Sequence, residues 1–83
     1  MSRTFYFIFS HSYATNENEA ISIILRQLCK NRIVYFRCSK NMILNEALAQ
    51  RLFVKSCEKA NKVFSSLSIL INPKLNTAQI IYK

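Results

Sequence analysis

Not one of the 83 residues is glycine. At the usual frequency of about 7%, a chain of this length would carry roughly six. Glycine reaches left-handed backbone conformations without penalty and lets a phosphate approach the main chain closely. Its absence excludes a phosphate-cradling glycine loop, a dinucleotide-binding fingerprint and a glycine-flanked nucleophile elbow, because a Cβ obstructs each of them. Part of the deficit reflects base composition. Ile, Asn, Lys, Phe and Tyr are abundant while Gly, Pro and Trp are scarce, as in an AT-rich coding sequence. The length adds a second constraint. A chain this short is expected to fold as a single domain over residues 1–83, burying only about 60–65% of the surface its unfolded form exposes. A cleft between two lobes is therefore excluded.

Half of the residues are hydrophobic (51%) and a fifth are charged (19%), a globular composition. Three cysteines, Cys29, Cys38 and Cys57, stand far apart, and His11 is the only histidine. There is no Cys-x-x-Cys pair and no Cys/His cluster, so neither a zinc site nor any other metal or cofactor is expected. The thiols read as reduced and mostly buried, as in a reducing compartment. No apolar run approaches the roughly 18 residues of a membrane span. The run from Phe5 to Phe9 is also shorter than a signal-peptide core of about 7–15 residues, and reads as a buried strand.

Periodicity orders the chain. An aromatic and β-branched segment predicts a strand over residues 4–10, broken by polar residues 12–18. A helix follows over 17–30. Asn16 and Glu19 stand at capping-box spacing, and Ile21, Ile24, Leu25 and Leu28 form its apolar stripe. Asn31 is the expected left-handed stop, since Asn tolerates the conformation glycine usually takes. A second strand over 32–38 leads through Ser39-Lys40-Asn41 to a second helix over 45–62. Its apolar stripe is Ala49, Leu52, Phe53, Cys57, Ala60 and Val63. A strand over 67–72, a turn at 73–76 and a strand over 78–82 complete the chain. Short connections join antiparallel neighbours, and strand-helix-strand units cross over right-handed. The expected fold is an α/β (α+β) two-layer sandwich of order β-α-β-α-β-β, a four-stranded mixed sheet with two helices on one face.

Catalysis finds little material. General acid/base work needs paired carboxylates, or a His or Cys with an orienting partner. The four glutamates sit at helix starts or on helix surfaces, and there is no Asp. No enzyme activity and no small-molecule substrate are expected. Charge is the positive signal. Twelve Lys and Arg against four Glu give +8, a field that attracts polyanions. Arg51, Lys55, Lys59 and Lys62 recur at helical steps near one face of the second helix. Arg37 at the end of the second strand, Lys40 in the next link and Lys74 in the last turn complete the candidate RNA-binding set. No helix-turn-helix, zinc finger or glycine-and-aromatic strand motif is present. The surface reads as one that grips phosphates and riboses by shape rather than stacking splayed bases.

Element order and two short segments resemble the C-terminal domain of bacterial-type translation initiation factor 3, over nearly the whole chain. That family has a Phe-Arg-Gly-Arg-Glu-Met segment where its second strand runs into its second helix. Phe36-Arg37-Cys38 begins the same segment here. With one inserted residue, Lys40 falls on the second Arg, Asn41 on the Glu and Met42 on the Met, and Glu46 lies where the family keeps an acid. The family's Pro-Lys-x-Glu-Gly-Arg turn is met by Pro73-Lys74-Leu75-Asn76-Thr77-Ala78, with Ile80 on the apolar residue beyond. The two family glycines are Cys38 and Thr77 here, and the final arginine is Ala78. The resemblance implies binding to small-subunit rRNA, hindrance of subunit joining during translation initiation, and rRNA contacts by Arg37, Lys40 and Lys74.

Two other readings compete. One is a small structural component of a ribosome or organellar complex, held by rRNA. The other is a truncated interaction module, since Phe7-Ile8-Phe9-Ser10-His11-Ser12 also resembles the first box of Toll/interleukin-receptor domains. The preferred reading implies a monomer, no membrane association, and a bacterial cytoplasm or organelle interior.

Overall fold

A computed structural model of the chain describes residues 12–28 and 30–83. The elements are β1 (Tyr13–Ala14), α1 (Glu17–Leu28), β2 (Ile33–Cys38), α2 (Glu46–Ala60), β3 (Leu67–Asn72) and β4 (Thr77–Tyr82). The four strands form one mixed sheet in the order β1-β2-β4-β3. β1 is parallel to β2, while β2 with β4 and β3 with β4 are antiparallel. Both helices cover one face, which is the two-layer sandwich expected from the order of elements. The shortest principal extent, 20 Å, accommodates one sheet and one layer of helices about 10–12 Å in diameter.

Alternation in the strands sets the two faces. Val34, Phe36 and Cys38 of β2 and Ala78 and Ile80 of β4 are buried among Ile21, Ile24 and Leu28 of α1 and Leu52, Phe53 and Cys57 of α2. Leu67, Ile69 and Ile71 of β3 pack against the edge of this core. The intervening residues, including Ile33, Tyr35, Arg37, Leu70 and Ile81, lie on the helix-free face.

The caps explain where the helices begin and end. Asn16 Oδ1 accepts the Glu19 N–H at 2.9 Å, which satisfies an orphan donor at the start of α1. Glu19 reaches back to Thr15, accepting its N–H at 2.7 Å and its hydroxyl at 2.5 Å. At α2, Asn45 Oδ1 accepts the Leu48 N–H at 2.8 Å. Asn61 closes the helix in the left-handed conformation, φ 58°. Its N–H donates to the Glu58 carbonyl at 3.3 Å and the Lys62 N–H to the Cys57 carbonyl at 2.9 Å, the two bonds of a Schellman motif.

Four expectations need correction or fall elsewhere. The strand over residues 4–10, His11 and Cys29 lie outside the described residues. The described edge strand is β1, in a stretch whose polarity reads as a break. The Arg37 N–H donates to the Ser12 carbonyl at 2.7 Å and the Ser39 N–H to the Ala14 carbonyl at 2.9 Å. Pairing with β2, distant in sequence, overrides the local signal. Asn31 is not left-handed: among the described residues positive φ occurs at Asn61 and Asn76. α1 ends at Leu28, with the Lys30 and Asn31 N–H groups both donating to the Gln27 carbonyl at 3.0 and 2.9 Å. Val63 lies beyond the α2 cap and is 96% exposed. The next residue, Phe64, turns inward instead, edge-on to Phe53 with ring centroids 5.2 Å apart.

One side chain substitutes for strand. The Tyr35 N–H donates to Gln27 Oε1 at 2.8 Å, and Gln27 Nε2 donates to the Tyr35 carbonyl at 2.6 Å. A single amide on α1 thus meets both backbone polar groups of one β2 residue, as a neighbouring strand would.

Candidate nucleic-acid interface

The two loops that hold Lys40 and Lys74 are joined by one residue. Asn76 ends the β3–β4 turn with φ 54°. Its backbone carbonyl accepts the Cys38 N–H at 3.0 Å. Its Nδ2 donates to the carbonyls of Cys38 and Ser39 at 3.0 Å each and of Met42 at 2.7 Å. Its Oδ1 accepts the Leu44 N–H at 2.8 Å. The hairpin turn and the link between β2 and α2 are therefore one structural piece. Two local bonds stiffen it. Asn72 Oδ1 accepts the Lys74 N–H at 3.1 Å, an Asx turn, and the Ser39 hydroxyl donates to Asn41 Oδ1. Asn41 Nδ2 donates to the Thr15 carbonyl at 3.3 Å, bringing the β1–α1 connection to the same end.

This geometry bears on the missing glycines. Cys38 and Thr77 stand where the family segments have glycine, and both are strand residues without positive φ. The left-handed position of the turn is one residue earlier, at Asn76. Asparagine performs there what glycine does elsewhere, and adds hydrogen bonds that glycine lacks.

Arg37, Lys40 and Lys74 are all exposed at or beside this end of the sheet. Arg37 lies on the helix-free face, its guanidinium carbon 5.9 Å from the centroid of the Tyr13 ring, within reach of a cation–π attraction. Arg51, Lys55 and Lys59 of α2, and Lys62, which falls just past the cap rather than within the expected helix, behave differently. Arg51 pairs with Glu17 at 2.8 Å, bridging α2 to α1. Lys62 Nζ donates to the Leu28 carbonyl at 3.1 Å, at the C-terminal end of α1 where a cation is favoured. Lys55 and Lys59 are exposed on α2. The helix has 15 residues, about 22 Å, so Lys59 and Lys62 lie far from Lys40. The seven sequence-derived residues thus form two groups: a loop-end group of three, and a helix group of which two members tie the helices together.

The acids lie on the helices, three of them in the first turns that start at the loop end. Glu17, Glu19, Glu46 and Glu58 all belong to α1 and α2. Outside the two helices the described residues carry Lys30, Arg32, Arg37, Lys40, Lys62, Lys74 and Lys83 with no acid. Hydrogen bonds from the Thr15 hydroxyl and N–H hold the Glu19 carboxyl below its usual range, so it remains a carboxylate at neutral pH.

The two described cysteines are buried. Burial pushes the Cys38 thiol up to about 11, and burial also raises Cys57 against the opposing field of Lys62. Both are thiols at neutral pH. Among the described residues no three His, Cys, Asp or Glu side chains gather as metal ligands, and no helix is long and apolar enough to cross a membrane. The depressions beside α1 (Tyr13, Asn18, Glu19, Ser22, Ile23, Arg26) and on α2 (Ala47, Gln50, Arg51, Val54, Lys55, Glu58) are open surfaces rather than enclosed pockets.

No family model, no curated protein and no solved structure matches the chain. Reading the sequence missed Tyr13, hidden in a polar stretch, and Asn76, which has the same composition cue as any turn asparagine. The only signal for Asn76 was that a glycine-free turn needs some residue able to go left-handed.

Proposed function

We propose that the chain binds small-subunit ribosomal RNA through the joined loop end of its sheet and hinders subunit joining during translation initiation. The observation that carries this reading is the junction at Asn76. It fastens the segment containing Arg37 and Lys40 to the turn containing Lys74, the two segments on which the family resemblance rests, and presents three exposed cations without an acid among them. Cations fixed on a rigid backbone meet phosphates with little ordering cost, and the affinity they supply falls with salt. The role needs no catalytic group. It places the chain as a monomer in a bacterial cytoplasm or an organelle interior. Arg51 and Lys62, held in contacts between the helices, serve the fold more than the RNA; Lys55 and Lys59 remain available as a second contact.

The test is co-sedimentation with isolated small subunits at low salt, together with the rate of subunit joining by light scattering. The protein should sediment and slow joining, and the double variant Lys40→Glu/Lys74→Glu should do neither. A protein that neither sediments nor slows joining ends the proposal. One that survives high-salt washing of whole ribosomes is a permanent ribosomal component rather than a factor.

A further inference from the structure

The helix-free face of the sheet has a composition that loop contacts leave unused. Strand register places Tyr13 beside Arg37 in one row, and continues that row to Thr77 and Asn72. The next row is Tyr35, Gln79 and Leu70, and the third is Ile33, Ile81 and Ser68. Tyr13 is 50% exposed and Leu70 67%. The face therefore combines two aromatic rings, a guanidinium, amide and hydroxyl groups and flat aliphatic surface. None of the four acids is on it; Glu19 lines with Tyr13 the open depression on the α1 side of β1.

We propose that this face, against the sequence expectation of a surface that grips by shape alone, is a platform for single-stranded RNA, on which Tyr13 and Tyr35 stack against bases while Arg37 and the adjoining loop-end cations hold the backbone. Charge complementarity selects the occupant. Outside α1 and α2 the described residues carry seven cations and no acid, whereas α1 and α2 hold all four acids. A second copy of the chain would bring the same unbalanced charge against itself. A polyanion is attracted, and among polyanions an unpaired strand exposes the flat apolar bases that tyrosines and aliphatic side chains can cover. Tyr13 and Tyr35 are on adjacent strands and two residues out of step. Strand spacing and rise place their Cβ atoms roughly 8 Å apart, close enough for neighbouring nucleotides of one extended strand. Duplex RNA buries its bases and gains nothing from the rings. The inference rests on the RNA component of the function proposed above, not on its ribosomal component.

Fluorescence anisotropy with labelled single-stranded oligoadenylate, and with the same strand annealed to oligouridylate, tests the platform. The single strand should bind more tightly than the duplex. Tyr13→Ala should weaken it roughly tenfold, as removal of a stacking aromatic does, and Tyr13→Phe should retain it. Leu70→Glu, at an exposed position where folding is safe, should weaken it as well, and circular dichroism melts confirm that each variant folds. Equal affinity for single strand and duplex, with no effect of Tyr13→Ala or Leu70→Glu, overturns the proposal. So does a dimer in sedimentation equilibrium that Leu70→Glu dissociates, because the face is then a contact between copies. The two functional readings separate cleanly. Oligonucleotide binding without small-subunit binding removes the ribosomal reading and keeps the platform. Small-subunit binding that Lys40→Glu/Lys74→Glu abolishes and Tyr13→Ala leaves intact, with no oligonucleotide binding, does the reverse.

Discussion

Asn76 concentrates more of the structure than any other described side chain. It holds φ 54°, accepts from Leu44 and donates to three carbonyls. Asn76→Ala removes those bonds and leaves a Cβ residue in the left-handed region, so a loss of about 4–5 kcal/mol is expected in urea unfolding, from roughly 1 kcal/mol for each of three net hydrogen bonds (the two Nδ2 hydrogens are shared among three carbonyls) and 1–2 for the backbone. Asn76→Gly keeps the backbone and loses only the bonds, so it should fall between the two. Glu19 supplies a pH test. Its folded pKa is lowered by Thr15, so the contact contributes stability above the unfolded value near 4.5, and that contribution disappears as pH falls through the folded value. In an NMR titration Thr15→Val should move the Glu19 midpoint up towards 4.5. The sequence showed Asn16 and Glu19 as a cap because their bonds are local. The partners of Asn76 lie 32 to 38 residues away, and no local pattern announces such bonds.

Among the described elements, the helices were legible in the sequence and the short strand Tyr13–Ala14 was not. Caps, apolar stripes and cations at helix ends act within a few residues, so α1 and α2 were readable to within about two to four residues at their ends. Val63 fits the helical step of the α2 stripe but lies past Asn61, where the step no longer applies. β1 exists through its bonds to β2, which a local polarity count does not register. The caps should also outweigh the ion pair between helices. Asn45→Ala removes the acceptor of the Leu48 N–H and is expected to cost about 1 kcal/mol. Arg51→Ala breaks a pair whose two side chains are about half exposed, worth at most about 0.5 kcal/mol after screening. Thermal melts of the two variants in parallel decide this: the cap variant should melt lower.

At the scale of the whole molecule, fold and interface differ in what the sequence reveals. Order of elements and short connections constrain a small sandwich almost to one arrangement, and the mixed sheet follows. Which cations cooperate depends on which loops meet, and that was not written in their spacing. The division into loop-end and helix groups predicts a difference in salt dependence. Log affinity for RNA against log salt should become shallower for Lys40→Gln/Lys74→Gln, by roughly 0.7 per lost phosphate contact on a single strand, and should change little for Arg51→Gln/Lys62→Gln. Binding isotherms at four salt concentrations measure both slopes. The amide of Gln27 has its own bearing on the wet side of the sheet. It clasps Tyr35 by both backbone groups, and its Nε2 also reaches the Ser12 hydroxyl at 3.4 Å. If β2 slid by a single residue, Tyr35 and Arg37 would be driven into the interior and Phe36 turned out to water. Burial of Val34 and Phe36 opposes such a slip, and Gln27 anchors β2 in the register that leaves Tyr35 and Arg37 towards water.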